Sequence, residues 1–415
     1  MAGEAWIETT IGEQATLQRG IDITKAEQRD GKVPVISSGG VSSYHDTAAV
    51  KGPGVVLGRK GVVGSVYFIE EDYWPHDTSL WVKDFHGNYP RFVYYFFKSV
   101  APQIARMDVG SANPTLNRNH VHPMPIVWPP LAEQKAIAAV LGALDDKFEL
   151  NRRMNATLEA MARALFQSWF VDFDPVRAKL DGRPPAALDP ATAALFPASL
   201  QDSPLGHIPT GWETSTIGAK LQTVLGGTPS RAKPEYWTDG TVAWINSGKT
   251  NEFRIIEPSE WITKEALENS ATKLLPLRTT VLAITGATLG QVSITEIECC
   301  ANQSVVAIPA SEQFPTEFIY PWIEENIEKL IASQTGGAQQ HINKGNVEEL
   351  ALLCPDRRIV DAYQTKAKPL FDQIAANCVQ SRTLATLRDT LLPKLLSGEL
   401  LTKSVAQTTE GHPTR

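Results

Sequence analysis

The sequence repeats itself over a long distance, and this repeat limits the possible folds more than any other feature. A single constant offset in residue number, 226, aligns about half of each copy with the other without a gap. Matched segments include 55–57 with 281–283, 64–66 with 290–292, and 92–94 with 318–320. Solenoid repeats are roughly 20–50 residues long. The period therefore predicts two tandem halves, each made of a domain and an attached segment.

The register of the repeat holds far along each half and changes only near its start. Asn117 matches Asn343 and Asn151 matches Asn377 at the shift of 226, whereas Trp6 matches Trp212 at a shift of 206. The second copy therefore carries about 20 additional residues around positions 228–262.

The first part of each copy, about 1–125 and 210–350, has short β-rich runs between glycine turns, which predicts a strand-rich domain. Within these parts, near-helical spacing of apolar residues predicts helices at 90–106 and 315–333.

The second part of each copy is predicted to be a long helix, because seam residues recur at spacings of four and three, as in a coiled coil. Seam positions in the first copy are Ile137, Leu141, Leu144, Phe148, Asn151, Asn155, Leu158, Ala162, Leu165 and Trp169. The repeat assigns Tyr363, Ala367, Leu370, Ile374, Asn377, Ser381, Leu384, Arg388, Leu391 and Leu395 to the second. Long helices need their apolar stripe covered, so we expect the two to pack together.

Two features refine this helical arrangement. Asn151 and Asn377 occupy equivalent seam positions, where a polar residue fixes register; a frayed or solvated position is the alternative. Between the halves, residues 172–209 are too rich in proline for a continuous helix or a central strand. A connection of this length allows the helices to lie antiparallel.

Composition narrows the class of protein without deciding it. With 42% hydrophobic and 20% charged residues and no long apolar run, we expect a soluble protein without a membrane span. The N-terminus lacks signal-peptide features, so a cytoplasmic location and reduced cysteines are expected. The cysteines have neither disulfide nor zinc spacing and are predicted to be buried free thiols. The net charge of −7 argues mildly against a nucleic-acid partner.

No motif for catalysis, cofactor or metal is apparent. Residues 243–250 lack the first glycine of a phosphate loop and are interpreted as a turn after a strand. Asn113-Pro114 continues with Thr115 and so does not make the motif of an amino-methyltransferase. Asp145 and Asp146 are interpreted as a solvated helix face rather than a catalytic pair.

Several segments resemble those of the specificity subunits of type I restriction-modification enzymes. They are 129–137 (PPLAEQKAI), 167–176 (QSWFVDFDPV), 205–212 (LGHIPTGW) and 392–400 (LPKLLSGEL). One departure is 355–359 (PDRRI), where the second copy lacks the PPLAEQ start of the first.

The resemblance implies an α+β architecture in which two strand-rich target-recognition domains are separated by two long antiparallel coiled-coil helices, with a pseudo-twofold internal repeat. The expected segments are recognition domain 1 (1–128), helical spacer 1 (129–171), a proline-rich linker (172–209), recognition domain 2 (210–354), helical spacer 2 (355–402) and a flexible tail (403–415).

The resemblance also implies a non-catalytic role. Each recognition domain would read one half of a split double-stranded DNA target, and the helices would recruit two methyltransferase subunits, with restriction subunits as further partners. S-adenosylmethionine would bind the methyltransferase, and ATP and Mg²⁺ the restriction subunit. The rival hypotheses are a scaffold that does not read DNA and a fused restriction enzyme, for which the chain lacks room and motifs.

Two loops in each domain combine glycine with residues suited to phosphate or base contacts: 58–64 and 110–120 in the first copy, and 284–290 and 336–346 in the second. Predicted DNA-binding residues are Arg59, Lys60, Ser111, Asn113, Asn117, Arg118, His120, Arg231, Lys249, Thr285, Gln339, Gln340, His341, Asn343 and Lys344. Lys233 and Arg254 could extend this contact, whereas Asn117 and Asn343 could instead be helix caps. Because the loops differ between copies, an asymmetric target is expected.

Overall fold

The structure is a computed structural model that describes residues 5–107, 115–332, 342–400 and 402. The chain forms two compact units. Unit 1 comprises Met1–Glu149 together with Arg382–Arg415, and unit 2 comprises Leu150–Ser381. Unit 1 is therefore assembled from two segments that are far apart in sequence.

Unit 1 contains a small mixed domain whose core is formed by strands, the helix Pro90–Ala105 and residues of the two long helices. Its strands are Ile7–Thr10, Thr16–Arg19, Val33–Ser37, Gly40–His45, Gly54–Gly58, Val66–Ile69, Trp74–Pro75, Ser79–Asp84 and Pro125–Trp128. Its helices are Ile11–Gln14, Pro90–Ala105 and Arg118–Val121. A four-stranded sheet has the order 16–19, 79–84, 54–58, 66–69. The central strand Gly54–Gly58 is buried along its whole length, as expected for a strand with neighbours on both sides and a helix above it.

Unit 2 contains the same sheet arrangement with additional elements. Its strands are Leu200–Ser203, Gly206–Pro209, Glu213–Thr216, Val224–Leu225, Val242–Ile245, Glu260–Ile262, Thr280–Ala283, Val292–Ile294, Cys300–Ala301, Val305–Ile308 and Ala351–Cys354. Its shorter helices are Asp174–Leu180, Pro190–Leu195, Ile217–Lys220, Lys264–Glu268, Thr316–Ala332 and Lys344–Glu349, with 3₁₀ turns at Pro234–Tyr236, Ser247–Asn251 and Gly286–Thr288.

The sheet order confirms the internal repeat. In unit 2 the four-stranded sheet has the order 224–225, 305–308, 280–283, 292–294, which places equivalent segments in the same positions as in unit 1. The helices predicted at 90–106 and 315–333 are confirmed as Pro90–Ala105 and Thr316–Ala332. The segment 243–250 is a strand followed by a 3₁₀ turn, as predicted.

The two long helices are Leu131–Phe166, which continues into a π-helical turn at Gln167–Val171, and Arg357–Leu396. Within unit 1, Ile137 and Leu141 share a core with Leu392 and Leu395. Within unit 2, the rings of Phe166 and Tyr363 lie 6.2 Å apart, and Asn155 meets Asn377. In these contacts, higher residue numbers in the first helix meet lower residue numbers in the second. The two helices therefore pack antiparallel in each unit.

Two predictions about these helices are wrong. Phe148, assigned to the seam, is 40% exposed, so the seam does not bury every position of the spacing pattern. Asp145 does not lie on a solvated face, because its carboxylate accepts a hydrogen bond from the Tyr95 hydroxyl (2.8 Å) and pairs with Arg388 at 2.9 Å. The helix Pro90–Ala105 brings Tyr95 to that face, which explains why an arginine is tolerated at a seam position.

Polar residues in the seam of unit 2 form a network rather than a frayed segment. Asn151 and Asn377 are buried. The Asn151 amide donates to Oε1 of Gln380 (2.8 Å) and to Oγ of Ser381 (3.3 Å), and the Asn377 amide donates to Oδ1 of Asn155 (2.8 Å). Oδ1 of Asn151 has no partner among the described residues, but these hydrogen bonds cross between the helices and form in this alignment, so they oppose sliding of the helices.

The cysteine prediction is confirmed. All four residues are free thiols, with Cys299, Cys300 and Cys354 buried and Cys378 half-buried. Burial raises the pKa of Cys299 to about 12, so its thiolate is disfavoured. None of the helices in the described part of the chain has the length and apolar character that crossing a bilayer requires.

The additional segment of unit 2 is fixed to the first long helix by a buried ion pair. Nη2 of Arg254 lies 3.0 Å from the Glu159 carboxylate, and the Arg254 side chain is fully buried. The guanidinium also lies over the rings of Tyr320 and Phe371, at 4.9 and 5.4 Å. The suggestion that Arg254 adds charge for DNA is therefore wrong, because the helix covers it.

We expect Glu159→Gln to destabilise unit 2 more than Arg254→Met. Glu159→Gln leaves a buried guanidinium without its counterion, at a cost of about 3–5 kcal/mol. Arg254→Met removes that charge and leaves a carboxylate that retains some solvent contact. Hydrogen exchange of peptides covering 242–262 would report the opening free energy. The double variant should recover part of the loss, and Arg163→Gln, which removes an exposed guanidinium, should cost under about 1 kcal/mol.

Glu324→Gln should stabilise unit 2 at pH 7. Burial is the main cause that raises the pKa of Glu324, so its ionised form opposes folding above that pKa and the protonated form favours it. The amide can still accept the hydrogen bond from Tyr320. The gain in melting temperature should shrink as the pH falls and vanish near pH 4. Glu328→Gln, an exposed carboxylate of the same helix, is the control; an equal gain there would contradict the burial explanation.

Candidate nucleic-acid interface

The structure brings the two predicted loops of unit 1 together. Lys60 forms an isolated antiparallel bridge with Thr115, and the Leu116 amide donates to the Arg59 carbonyl at 2.9 Å. Unit 2 joins its loops in the same way, since the Ile342 amide donates to the Ile284 carbonyl at 3.1 Å. Loops that are far apart in sequence therefore form one surface in each unit.

Beside the joined loops of unit 1 lies a cleft of about 490 Å³ that three arginines line. Arg19 comes from the end of a strand, Arg59 from the first loop and Arg118 from the start of the short helix Arg118–Val121. The remaining lining residues are Gln18, Leu80, Thr115, Leu116 and Asn117. We call this site the arginine cleft.

Internal contacts hold the three guanidinium groups in place. Arg19 pairs with the Asp77 carboxylate at 2.8 Å. Arg59 Nη1 lies 3.4 Å from the Asp77 carbonyl oxygen, and Arg118 Nη1 lies 3.3 Å from the carbonyl oxygen of Leu17. These contacts restrict the conformations of the side chains, which reduces the entropy that a ligand contact would cost.

The electrostatics of the cleft are dominated by positive charge. Burial and then the charge of Arg19 lower the pKa of Arg59, while Asp77 opposes them. Burial favours protonation of Asp77, but the hydrogen bond from Arg19 and the charges of His76, Arg19 and Lys60 outweigh it and lower the pKa of Asp77. Asp77 is therefore an ionised group that only partly compensates its cationic neighbours.

The second loop of unit 1 ends in a capped helical turn. The Asn117 side chain accepts a hydrogen bond from the Asn119 amide at 3.0 Å, so it acts as a helix cap. Arg118 and His120 are exposed on this turn. His122 Nε2 accepts from the Leu17 amide at 2.9 Å, and burial followed by the charge of Arg118 lowers the pKa of His122. The turn is thus tied to the strand that carries Arg19.

In unit 2 the predicted cationic residues have partners within the chain. Lys344 pairs with Glu348 at 3.0 Å, and Lys249 pairs with Glu252 at 2.6 Å. Arg231 pairs with Glu260 at 2.6 Å and stacks over Trp237 at 3.5 Å. Their positive charge is consequently reduced by neighbouring carboxylates.

The other predicted residues of unit 2 occupy turns. Asn343 caps the helix Lys344–Glu349 by accepting from the Asn346 amide at 3.0 Å, and the Asn346 side chain accepts from the Asn343 amide. Thr285 precedes the 3₁₀ turn Gly286–Thr288. Five predicted residues lie outside the described part of the chain: Ser111, Asn113, Gln339, Gln340 and His341.

Asp22, His76 and Asp77 place possible ligand atoms within 4.8 Å of one another. One of these carboxylates, Asp77, is already paired with Arg19. The equivalent residues in unit 2 are Thr228, Asn302 and Gln303, which carry no charge. The cluster is therefore a local difference between the units rather than a shared feature of the fold.

A family model for the type I restriction modification DNA specificity domain matches residues 3–160 and again residues 209–367. The two matches together cover most of the chain, once for each copy of the repeat. This chain belongs to that family. The resemblance that the sequence segments indicated is thereby confirmed.

Specificity subunits of named restriction enzymes are among the relatives. The chain is 26% identical over 328 residues to the HindI specificity subunit of Haemophilus influenzae, covering 69% of this chain and 71% of that one. It is also 26% identical over 319 residues to the MjaIX specificity subunit of Methanocaldococcus jannaschii, covering 76% and 70%.

A solved structure shares the fold. The crystal structure of the type I restriction-modification S subunit from M. genitalium matches with a TM-score of 0.62 at 16% identity, over 94% of this chain and 96% of that chain. At this identity the match shows the fold alone. It agrees with the predicted α+β arrangement of repeated strand-rich domains and long helices.

Sequence reasoning did not identify every residue of the arginine cleft. Gln18 and Arg19 were missed, because the repeat pairs them with the apolar Val224 and Leu225 and no loop motif surrounds them. Their proximity to Arg118 arises from Leu17, whose carbonyl accepts from Arg118 and whose amide donates to His122. A useful signal would have been the charge difference between repeat-equivalent positions.

We expect Asn343→Ala to destabilise unit 2 by about 1 kcal/mol, and Asn343→Asp to cost much less, because the cap requires only a side-chain oxygen as acceptor. Thermal melting of the two variants measures this difference. If both variants have the same melting temperature as the original chain, the cap does not contribute to stability and folding does not require Asn343. The same pair at Asn117 provides an independent comparison in unit 1.

Proposed function

We propose that this chain is a non-catalytic DNA-specificity subunit of a type I restriction-modification complex. The observation that carries the proposal is the double match to a DNA specificity domain, in a chain whose two units each join a pair of loops into one surface. Duplicated binding surfaces on one chain suit a target with two separated parts.

The two units are proposed to read different half-sites. At equivalent positions the first loop carries Lys60 in unit 1 and Gly286 in unit 2, and the second loop carries His120 and Asn346. These residues offer different hydrogen-bonding groups to DNA bases. Each unit would thus select its own base pairs, which gives a bipartite, asymmetric target.

The long helices are proposed to recruit two methyltransferase subunits, with restriction subunits joining the complex. Leu131, Phe148 and Leu387 are exposed on the helical segments of unit 1, as are Leu150, Met161 and Val379 on those of unit 2. Scattered exposed apolar side chains are common on protein surfaces, so the proposal rests on the family match and these residues are positions that a partner could cover. S-adenosylmethionine, ATP and Mg²⁺ would then bind to the partners.

The proposal predicts enrichment of a split motif from random DNA. The full chain, co-expressed with its methyltransferase partner, would be incubated with a randomised duplex library, and the retained fraction sequenced. We expect two short conserved blocks separated by an unconserved gap. The partner without this chain is the control and should retain no motif.

Other outcomes of this selection have definite meanings. Identical half-sites would contradict the asymmetric target while leaving DNA specificity in place. A stable complex that retains DNA without any sequence preference would contradict the specificity role and favour a scaffold.

A further inference from the structure

We propose that the arginine cleft of unit 1 holds a phosphodiester group of the DNA backbone. The inference rests on the proposed function, namely that the chain binds duplex DNA. The inference adds the site at which unit 1 binds the DNA backbone, and it introduces Arg19 as a contact residue. It also implies that the two units contribute unequally to salt-dependent binding.

The shape of the cleft favours a backbone contact over base reading. A base edge lies at the floor of a groove and is reached by a protruding helix, strand or side chain. A phosphodiester strand is instead a ridge, and a concave site of about 490 Å³ can receive it. The guanidinium groups of Arg19, Arg59 and Arg118 converge on this concave surface from three elements of unit 1.

The charge balance also favours an anion. Three arginines line the cleft, beside the Asp77 carboxylate, which pairs with Arg19, and the Asp22 carboxylate, which lies within 4.8 Å of it. A phosphate would relieve the mutual repulsion of the guanidinium groups and accept hydrogen bonds from more than one of them. Because Asp77 and two backbone carbonyls already orient the arginines, little rearrangement is required.

The equivalent positions in unit 2 lack this arrangement. Arg19 corresponds to Leu225, Arg59 to Thr285, and Arg118 to Lys344. Lys344 is the one cation of the three, and it is paired with Glu348. We infer that unit 1 makes phosphate contacts that the equivalent residues of unit 2 do not make.

Substitution of the cleft arginines should change the salt dependence of binding. The full chain in complex with its methyltransferase partner would be titrated, at several salt concentrations, with a duplex carrying the selected target and with an unrelated duplex. Arg59→Gln and Arg19→Gln should weaken both duplexes by the same factor. Each should also reduce the slope of log K against log salt by about 1.

A matched control is present in the same unit. Arg29 is exposed and pairs with Asp46, away from the cleft residues, so Arg29→Gln removes the same charge without touching the cleft. Its salt slope should equal that of the original chain. Arg118→Gln, which changes an exposed side chain, serves as a third cleft variant should Arg19→Gln or Arg59→Gln fail to fold.

Uncharged methylphosphonate linkages would locate the contact. A methylphosphonate at the phosphate that lies in the cleft should weaken DNA binding by the original chain. It should not further weaken DNA binding by the Arg59→Gln variant. If Arg59→Gln instead relaxes preference at one base pair with an unchanged salt slope, Arg59 reads a base and the proposal is wrong. Equal slopes for the cleft and control variants would also overturn it. If the original chain shows no sequence preference, the proposed function itself fails, whatever the cleft variants do.

Discussion

The antiparallel packing of the two long helices is the constraint on which the rest of the structure depends. Unit 1 completes its core with Leu392 and Leu395, although all of unit 2 separates them in sequence from the rest of that core. Unit 2 likewise needs both helices, since Phe166 and Tyr363 belong to one aromatic core. The strands and loops of unit 1 lie in one continuous segment, but its core also takes residues from beyond unit 2, so completing that core requires a long loop to close.

The same packing explains where polar residues are tolerated in the seam. In unit 2 the side-chain NH2 groups of Asn151 and Asn377 each donate to a partner on the other helix, although Oδ1 of Asn151 has no hydrogen-bond partner among the described residues. In unit 1 Arg388 is matched by Asp145, which also accepts a hydrogen bond from Tyr95. Each polar seam residue thus pairs in a way that fits one helix alignment. Alignment in turn fixes which side chains complete each domain core.

The helices and the repeat could be predicted from the sequence because both signals are periodic. Spacings of four and three identified the segments Leu131–Phe166 and Arg357–Leu396, and the repeat register placed Asn151 and Asn377 at equivalent seam positions. Sheet order could not be predicted, because pairs such as Thr16–Arg19 with Ser79–Asp84 depend on contacts far apart in sequence. The exposed Phe148 shows that spacing alone does not define burial.

The candidate site was predictable only where loops have a recognisable composition. Glycine and polar residues identified the loops around Arg59 and Asn117, and the alternative that Asn117 and Asn343 are helix caps is confirmed. This does not exclude DNA contacts, since a cap uses an oxygen acceptor. Arg19 could not be predicted from the sequence, because its place in the cleft depends on neighbours of its strand rather than on a motif. Arg19 becomes part of the cleft only because the fold places it near Arg59 and Arg118.

The acidic net charge of −7 illustrates why overall charge is a poor guide to partners. In unit 2, Arg254 and Arg278 are bound by carboxylates, with Arg278 contacting Glu296, Glu317 and Asp372. These cations stabilise the fold and offer little to an external anion. In the arginine cleft, by contrast, Arg19 pairs with Asp77, whereas the described contacts of Arg59 and Arg118 are to backbone carbonyls, which leaves an excess of positive charge. Because Coulomb interactions weaken over roughly 8 Å at physiological salt, a nearby phosphate responds to this local excess rather than to the net charge of the chain.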